Sequence, residues 1–304
     1  MNDHDAFSEV ARRVVPDGRL IGCSALAGGV SATTHALEIA APSGARCRVV
    51  LRRHRNADWK PSREGTIATE FALLEGLHRI GLEVPEPLLL DVSGELLPEP
   101  YLVMERVTGS TAVADAELPT ALGRLADFLA RLHAVELETA ALPPLPERED
   151  PWSSVLDHLP DDALGARLRT ALEARPAAFE PSRRTLVHGD FWPGNVLWRD
   201  GEIAAVIDWE DAAIGDPLSD LACARVELLC AHDETAMEAF SRDYLARAPV
   251  DTTDLPIWEV YVSTAALSSM ADWGLPPEVE AERRRRTRAF LERAAADLLS
   301  RSAS

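Results

Sequence analysis

The sequence lacks any long apolar run. No stretch of its 304 residues approaches the ~20 consecutive apolar residues that cross a bilayer. Its first residues, Met-Asn-Asp-His-Asp, also lack the basic start and apolar centre of a secretory signal peptide. We therefore expect a soluble, cytoplasmic protein that has no membrane partner.

Cysteine and lysine are both scarce. The four cysteines, Cys23, Cys47, Cys223 and Cys230, contain no C-x-x-C pair. We therefore expect reduced, buried thiols rather than a zinc site or a disulfide framework. Lys60 is the only lysine, so nearly every basic side chain is an arginine.

Basic residues are outnumbered by acidic ones. The chain has 31 Lys and Arg against 50 Asp and Glu, a formal charge of -19. This charge disfavours nucleic acid and anionic membranes as partners, and it would attract cationic solutes. An acidic surface taken alone is more often explained by solubility. The apolar fraction of 46% excludes wholesale disorder, and the length suffices for two lobes.

The most informative segment is H-G-D-F-W-P-G-N at residues 188–195, which we call the Asp190 loop; V-I-D-W follows at 206–209. Phosphoryl transfer needs one carboxylate that orients the attacking hydroxyl, and ligands for the magnesium that bridges the phosphates. Asp190 fits the first role. Asn195 and Asp208 fit the second, because magnesium prefers oxygen ligands and phosphates complete its shell.

The surroundings of this loop favour the same interpretation. Residues 185–187, 196–198 and 204–207 are apolar and predict short buried strands, and Asp200-Gly201 predicts a hairpin turn. Either polar motif alone is explained as a solvated turn. Their combination at this spacing, with apolar strands between, argues against chance.

The two motifs resemble the aminoglycoside phosphotransferase and small-molecule kinase family, relatives of protein kinases. Its members carry H-G-D-x-x-x-x-N and then I-D-[WF], and the run G-D-P-L-S-D-L-A at 215–222 looks like the family's G-D-P-x-x-D-L-A. The resemblance implies that Asp190 is the catalytic base, that Asn195 and Asp208 bind Mg²⁺, that Asp220 braces the loop through its backbone, and that His188 is structural.

The same resemblance implies an α+β, bilobal, protein-kinase-like fold. An N-terminal nucleotide-binding lobe, residues 1–107, would hold a five-stranded antiparallel sheet and one helix and end in the hinge. Residues 108–304 would form a mainly helical C-terminal lobe with the catalytic loop and the acceptor site. The order of elements agrees, since strand patterns precede Gly109 and helical patterns follow it.

ATP or GTP would bind the first lobe. Gly28, Gly29 and Ser31 form a turn whose backbone N–H groups can approach phosphates, although it lacks G-x-G-x-x-G and a plain hairpin is the alternative. On the third strand, V-V-L-R replaces V-A-I-K, so Arg52 stands for the phosphate-binding lysine, with Val50 beside the adenine. Arg53 faces the other way. An arginine is longer and planar, so its geometry need not equal that of lysine.

Two further elements complete this expected nucleotide site. Glu70, on a helix predicted over 66–80, is the best match for the acid that pairs with the strand cation; Glu75 and Glu64 are lesser candidates, and an unpaired surface Glu is the alternative. By chain order, the strand from Tyr101 becomes the hinge. Purine contacts are expected from Met104, Glu105 and Val107.

The acceptor site is expected among the later helices. Acidic candidates there would suit a cationic acceptor, and aromatic ones would supply flat walls, although each is individually more often surface or core. The candidates are Glu210, Asp211, Glu227, Asp233, Glu234, Trp258, Tyr261 and Trp273. Arg283–Arg286 is expected to be a solvated face paired with nearby glutamates, and residues 143–151 a surface loop or linker.

We therefore expect a magnesium- and nucleotide-dependent phosphotransferase that acts on a hydroxyl of a small molecule, with an aminoglycoside or another antibiotic first. A metabolic kinase for choline, homoserine or a sugar is the nearest alternative, and a regulatory pseudokinase is another. Protein kinase activity is disfavoured because no A-P-E segment lies between Asp208 and Asp216. The molecule is expected to be a monomer or a homodimer.

Overall fold

The computed structural model describes residues 3–26, 32–54, 67–174 and 181–302. The expected nucleotide-loop residues Gly28, Gly29 and Ser31, together with Glu64, lie outside the described residues. The chain divides into two compact units. Unit 1 comprises Met1–Ser110, Glu138–Pro146 and Val196–Glu210, and unit 2 comprises Thr111–Leu137, Glu147–Asn195 and Asp211–Ser304. A lobe boundary after Val107 stays a prediction.

Strands and helices follow one another in an α+β order. The strands are β1 Arg19–Ala25, β2 Ala32–Ala40, β3 Arg46–His54, β4 Pro87–Asp91, β5 Tyr101–Glu105, β6 Thr185–Val187, β7 Val196–Arg199, β8 Glu202–Val206 and β9 Ala213–Gly215. The helices are α1 Asp3–Val14, α2 Ile67–Arg79, α3 Leu118–His133, α4 Pro151–Ser154, α5 Ala163–Glu173, α6 Leu218–Ala231, α7 Glu234–Arg247, α8 Leu255–Ser269 and α9 Pro277–Ser302. None in the described ranges is long and apolar enough to cross a membrane.

Unit 1 is built on the expected five-stranded antiparallel sheet, in the order β1-β2-β3-β5-β4. In β3, Val49 and Leu51 alternate onto one face and are fully buried there. Arg52 projects to the opposite face and is buried as well. A central strand with both faces covered can therefore hold a charged side chain away from water.

Helix α1 is an addition to the expected architecture, which had one helix in this part of the chain. Its apolar stripe, Ala6, Phe7, Val10 and Ala11, is buried in the same core cluster as Val49 and Leu51. Acidic residues begin the helix and basic residues end it, which complements the helix dipole. The stripe was readable in the sequence as a 3.6-residue period.

The hairpin of β7 and β8 also belongs to unit 1. Asp200 and Gly201 connect the strands with φ values of 53° and 76°, as a two-residue turn of the predicted kind requires. The N–H of Val206, at the end of β8, donates to the carbonyl of Glu83 at 2.7 Å. The hairpin therefore presents the residues after Val206 from a fixed strand end.

Unit 2 is mainly helical, with one strand pair, β6 and β9. Side-chain caps fix several helix starts: Asp162 accepts hydrogen bonds from Leu164 and Gly165 at the start of α5, and Asp233 accepts one from Ala236 at the start of α7. One cysteine expectation is corrected, because Cys23 on β1 is exposed. Its strand lies at the edge of the five-stranded sheet.

Candidate active site

Asp220 anchors the backbone of the Asp190 loop within unit 2. It lies in the first turn of α6 and is fully buried. Its carboxylate accepts the N–H of His188 at 2.7 Å and that of Gly189 at 2.8 Å, and it lies 3.2 Å from Nε2 of His133. Burial by itself raises the pKa of Asp220, but the hydrogen bond from His133 and the backbone donors outweigh burial and lower it. The carboxylate therefore stays charged.

His133 and Tyr244 extend this network, and neither was predicted from the sequence. His133 ends α3, and its Nδ1 lies 2.7 Å from the hydroxyl of Tyr244 on α7. Both rings are buried. Burial and the nearby Asp220 raise the pKa of Tyr244. The available signal was a histidine on the apolar stripe of α3, beside Leu129 and Leu132, where a polar group needs a partner.

The Asp190 carboxylate is held by the loop itself. Its Oδ2 accepts hydrogen bonds from Nδ2 of Asn195 at 2.9 Å and from Nε1 of Trp192 at 3.3 Å. The same Asn195 nitrogen donates to the Asp190 carbonyl at 2.9 Å. Asn195 donates both of these hydrogen bonds from Nδ2. Neither bond uses Oδ1, which is the amide atom that can bind a cation. Asp190 Oδ1 lies 3.8 Å from Sγ of Cys223.

Gly189 adopts a left-handed backbone conformation that is unfavourable for other residues. Its φ is 88°, and a Cβ built there would lie 2.1 Å from the backbone oxygen of Asp211. We expect Gly189→Ala to destabilise the protein by about 1–3 kcal/mol. It should also lower any activity that depends on Asp190, because the next residue in the chain would shift. Urea unfolding and turnover measure the two effects.

Gly123 supplies the matched control for this substitution. It lies inside α3, where a Cβ would meet only Asp243, at an ordinary contact distance of 3.8 Å. Gly123→Ala should raise stability by about 0.5–1 kcal/mol, since alanine favours a helix. Equal effects of the two substitutions would show that the Asp190 loop does not need its left-handed residue.

Arg52 forms the second polar cluster, inside unit 1. It is 6% exposed. Its Nη1 lies 2.9 Å from Oε1 of Glu70, and its Nη2 lies 2.9 Å from Oδ1 of Asp208 and 2.5 Å from Oε2 of Glu210. Arg53 points to the other face, where it pairs with Asp3 at 2.9 Å. The strand cation therefore has one carboxylate at one end of its fork and two at the other.

These charges act on one another. Burial lowers the pKa of Arg52, but the carboxylates of Glu70, Asp208 and Glu210 raise it by more than burial lowers it. The net pKa is therefore raised, and the guanidinium stays charged. Burial raises the pKa of Glu70 to about 7, against the opposing effect of Arg52. Burial therefore makes the ionisation of Glu70 costly.

Asp208 occupies a strained position after β8. Its φ is 69°, in the left-handed region that a non-glycine residue rarely adopts. The next residue, Trp209, is buried and donates from Nε1 to the carbonyl of Val206 at 2.9 Å. Such strain persists only where the surroundings enforce it, and it is common at functional sites.

The expected purine contacts lie around the paired strands β3 and β5. Val50 and Met104 are opposite each other in the register, and both are half-buried. The N–H of Glu105 donates to the carbonyl of Glu86 at 2.8 Å, so this donor is occupied. Val107 follows the end of β5. The hinge assignment stays a prediction.

Magnesium was expected at Asn195 and Asp208. Across the described ranges, no group of three or more His, Cys, Asp or Glu side chains is arranged to hold a metal ion. The expected donor set is smaller than that, because it has one amide oxygen and one carboxylate and relies on phosphates for the remainder. The assignment of Asn195 and Asp208 as magnesium ligands stays a prediction.

The model of the phosphotransferase enzyme family matches residues 22–260, which include both polar clusters. The chain belongs to the phosphotransferase enzyme family.

The chain is also similar to individual proteins over part of its length. It is 27% identical over 195 residues to acyl-CoA dehydrogenase family member 10 of Mus musculus, a match that covers 58% of this chain and 18% of that protein. It is 32% identical over 161 residues to viomycin phosphotransferase of Streptomyces vinaceus, covering 47% and 55%. The matches therefore span less than two thirds of these relatives' lengths.

Solved structures confirm the expected kinase-like fold. A mutant of aminoglycoside phosphotransferase APH(4)-Ia, in a ternary complex with AMP-PNP and hygromycin B, superimposes with a TM-score of 0.63. The two chains are 22% identical, and the superposition covers 96% of this chain and 99% of the other chain. The α+β, kinase-like architecture implied by the family resemblance is correct.

Most of the acidic acceptor candidates have partners within the protein. Glu210 pairs with Arg52, Glu227 with Arg283 and Glu234 with Arg293, and Asp233 caps α7. The carbonyl of Asp211 lies against Gly189. These four carboxylates therefore already have partners and are not unpaired acids that await a cationic acceptor. The assignment of all these residues to the acceptor site stays a prediction.

Glu227 interacts electrostatically with Asp190. It lies on α6, one turn after Cys223, whose thiol lies against Asp190. Burial raises the pKa of Glu227, Arg283 lowers it, and Asp190 raises it. Burial and Asp190 also raise the pKa of Cys223. The thiol next to the expected base is therefore neutral.

The aromatic candidates differ in exposure. Trp258 is a fully buried core residue of α8, and Tyr261 packs against its edge with ring centres 6.0 Å apart. Trp273 lies under the guanidinium of Arg283, which is 5.5 Å from the ring centre. Trp258 is therefore placed as core, whereas Trp273 belongs to the Glu227 and Arg283 group.

Two surface expectations are corrected. Arg283–Arg286 is only partly a solvated face, because Arg283 pairs with Glu227 and Arg286 donates to carbonyls at the end of α6. Residues 143–151 are also more than a linker. Arg148 donates to the carbonyl of Gly189 at 3.3 Å, and its N–H donates to Ile214 at 2.7 Å. The Asp190 loop therefore has a second support that the proline-rich sequence did not reveal.

Proposed function

We propose that this chain transfers the γ-phosphoryl group of ATP or GTP to a hydroxyl of a small molecule, and that aminoglycosides and other antibiotics are the first acceptors to test. The observation that supports this most is the Asp190 carboxylate, held on a loop whose backbone Asp220 fixes. A base that must accept a proton at one position needs such fixation.

The roles of the other residues follow from the family pattern. Asp190 accepts the acceptor's proton as the hydroxyl oxygen bonds to phosphorus and the bond to the leaving oxygen breaks. Asn195 and Asp208 are the proposed ligands of magnesium, which neutralises charge on the phosphates. Arg52, held by Glu70, is the proposed phosphate-binding cation, and Val50, Met104, Glu105 and Val107 would border the purine.

The names of the relatives support an antibiotic acceptor, since viomycin phosphotransferase and hygromycin-B 4-O-kinase are among them. Relatives named as acyl-CoA dehydrogenase family members keep other acceptors open. The partnered acidic side chains also remove the main support for a strongly cationic acceptor. A metabolic small-molecule kinase therefore remains the second candidate.

A panel of acceptors tests the proposal. We expect nucleotide turnover that needs both magnesium and one of the acceptors, with a phosphorylated product of the correct mass. The panel should contain aminoglycosides and peptide antibiotics, together with choline, homoserine and simple sugars as alternative acceptors. Turnover with none of them, despite tight nucleotide binding, would favour a regulatory pseudokinase instead.

A further inference from the structure

The Arg52 guanidinium has acidic partners at both of its terminal nitrogens. A lysine presents one compact charged nitrogen, whereas arginine presents a planar fork with separate ends. Glu70 takes Nη1, and Asp208 and Glu210 share Nη2. The contact with Glu210 is the shorter of the two at Nη2.

We propose that Glu210 is a positioning residue that holds the second end of the Arg52 fork, and that this second carboxylate is what makes an arginine suitable at this strand position. The inference rests on the proposed function, in which Arg52 binds nucleotide phosphates. It replaces the sequence-based expectation that Glu210 contacts the acceptor.

Orientation is the first reason. A guanidinium held only by Glu70 at Nη1 can still pivot about that contact, whereas contacts at both ends fix its plane. Asp208 cannot supply the second contact permanently if it serves as a magnesium ligand. Glu70 and Glu210 are then the two carboxylates left to hold Arg52, one at each end.

Charge is the second reason. One guanidinium faces three carboxylates, and all four groups are at least partly buried. In such surroundings charges are screened less than in water, so the excess negative charge repels phosphates. Glu210 should therefore weaken the binding of nucleotide without metal, although it helps to orient Arg52. Loss of the Glu210 charge should therefore strengthen metal-free nucleotide binding and also lower kcat. A residue that only attracted the nucleotide would not show these two opposite effects.

A double-mutant cycle tests the pairing. Glu210→Gln keeps the shape of the side chain and removes its charge, and Arg52→Lys removes the second end of the fork. We expect each single change to lower kcat about tenfold, and the double variant to lose no more than the worse single one, since a coupling of that size is common for close charge pairs. The KM for the acceptor should not change.

Two readouts do not depend on turnover. In the presence of EDTA, calorimetry should show that Glu210→Gln binds ATP several-fold more tightly than the unchanged protein does. Thermal unfolding of all four proteins should show the same non-additivity, because the contact exists without nucleotide. These measurements remain decisive for the pairing even if no acceptor is phosphorylated, which would count against the proposed function alone.

The chain offers matched controls. Arg53, the next residue on β3, pairs with Asp3 and Glu99 on the opposite face, and Glu38 pairs with Arg48 at 2.9 Å on the surface of the same sheet. Arg53→Lys and Glu38→Gln should leave kcat and nucleotide affinity within about twofold of the unchanged protein, because neither residue contacts the Arg52 cluster.

Three results would overturn the inference. Additive losses in kcat and in stability would show that Glu210 acts independently of Arg52. A raised acceptor KM with unchanged kcat would make Glu210 an acceptor contact. If Glu210→Gln increased the magnesium requirement equally with Arg52 intact and in the Arg52→Lys variant, Glu210 would be a metal ligand.

Discussion

Asp190→Ala is expected to lower kcat by about 100- to 10,000-fold, the usual contribution of a positioned general base. The physical reason is that the acceptor hydroxyl must lose its proton as it attacks, and Asp190 is the proposed group that receives it. The measurement is kcat with the best acceptor from the panel, at saturating nucleotide and magnesium. Nucleotide affinity should change little.

Asp190→Asn separates proton acceptance from support of the loop. An asparagine keeps one oxygen that can accept hydrogen bonds from Asn195 and Trp192, the donors that Oδ2 of Asp190 uses. It is not a base at neutral pH. We expect the same loss in kcat with an almost unchanged melting temperature. An Asn variant that keeps more than a tenth of the activity would show that Asp190 acts only through the loop.

Asp200→Asn is the matched control for this change. Asp200 is exposed in the turn between β7 and β8, and its φ of 53° suits asparagine as well as aspartate. Like Asp190→Asn, this substitution removes one negative charge from the protein. It should leave turnover and stability unchanged, so a loss there would indicate that net charge rather than Asp190 explains the effect.

The order of strands and helices was predictable because its signals are local, whereas the kinase-like arrangement was implied by the family resemblance. The turn at Asp200-Gly201, the alternation of β3 and the change from strand to helix periods after Gly109 each depend on neighbouring residues. The helix predicted over residues 66–80 is α2, Ile67–Arg79. Helix α1 was not predicted, although its apolar stripe has the regular period of a helix packed against a core.

The contacts that tie the Asp190 loop were not predictable, because they join residues far apart in the chain. His133 approaches Asp220 across 87 positions, and Arg148 approaches Gly189 across 41. No period or spacing encodes such pairs. A buried histidine and a proline-rich segment showed only that partners were needed, not which ones.

The partners of charged residues were equally hidden. The pairing of Arg52 with Glu70 was expected by resemblance, and the structure places them 2.9 Å apart. The contact with Glu210, 158 positions from Arg52, had no sequence signal. The acidic acceptor candidates were chosen by charge and chain order, and most proved to have arginine or helix-cap partners, because charged groups rarely stay unpaired when partly buried.

Asp220→Ala should have the largest effect on stability. The substitution removes the acceptor of two backbone N–H groups, those of His188 and Gly189, and leaves His133 facing a cavity. Leaving such buried donors without a partner costs about 3 kcal/mol or more. That corresponds to a loss of about 6–12 °C in melting temperature for a domain of this size. Differential scanning calorimetry would measure it.

The effect should depend on pH in a defined direction. The pKa of Asp220 is lowered in the folded protein, so its contribution is present above the unfolded value of about 3.9 and is lost as the pH falls through the lower folded value. The difference between Asp220→Asn and the unchanged protein should therefore be constant near neutral pH and shrink in acid. Asp127→Asn, an exposed partner of Arg131 on α3, should show no measurable difference at any pH. An Asp220→Asn difference that stays constant into strong acid would mean that shape, not the charge of the carboxylate, fixes the Asp190 loop.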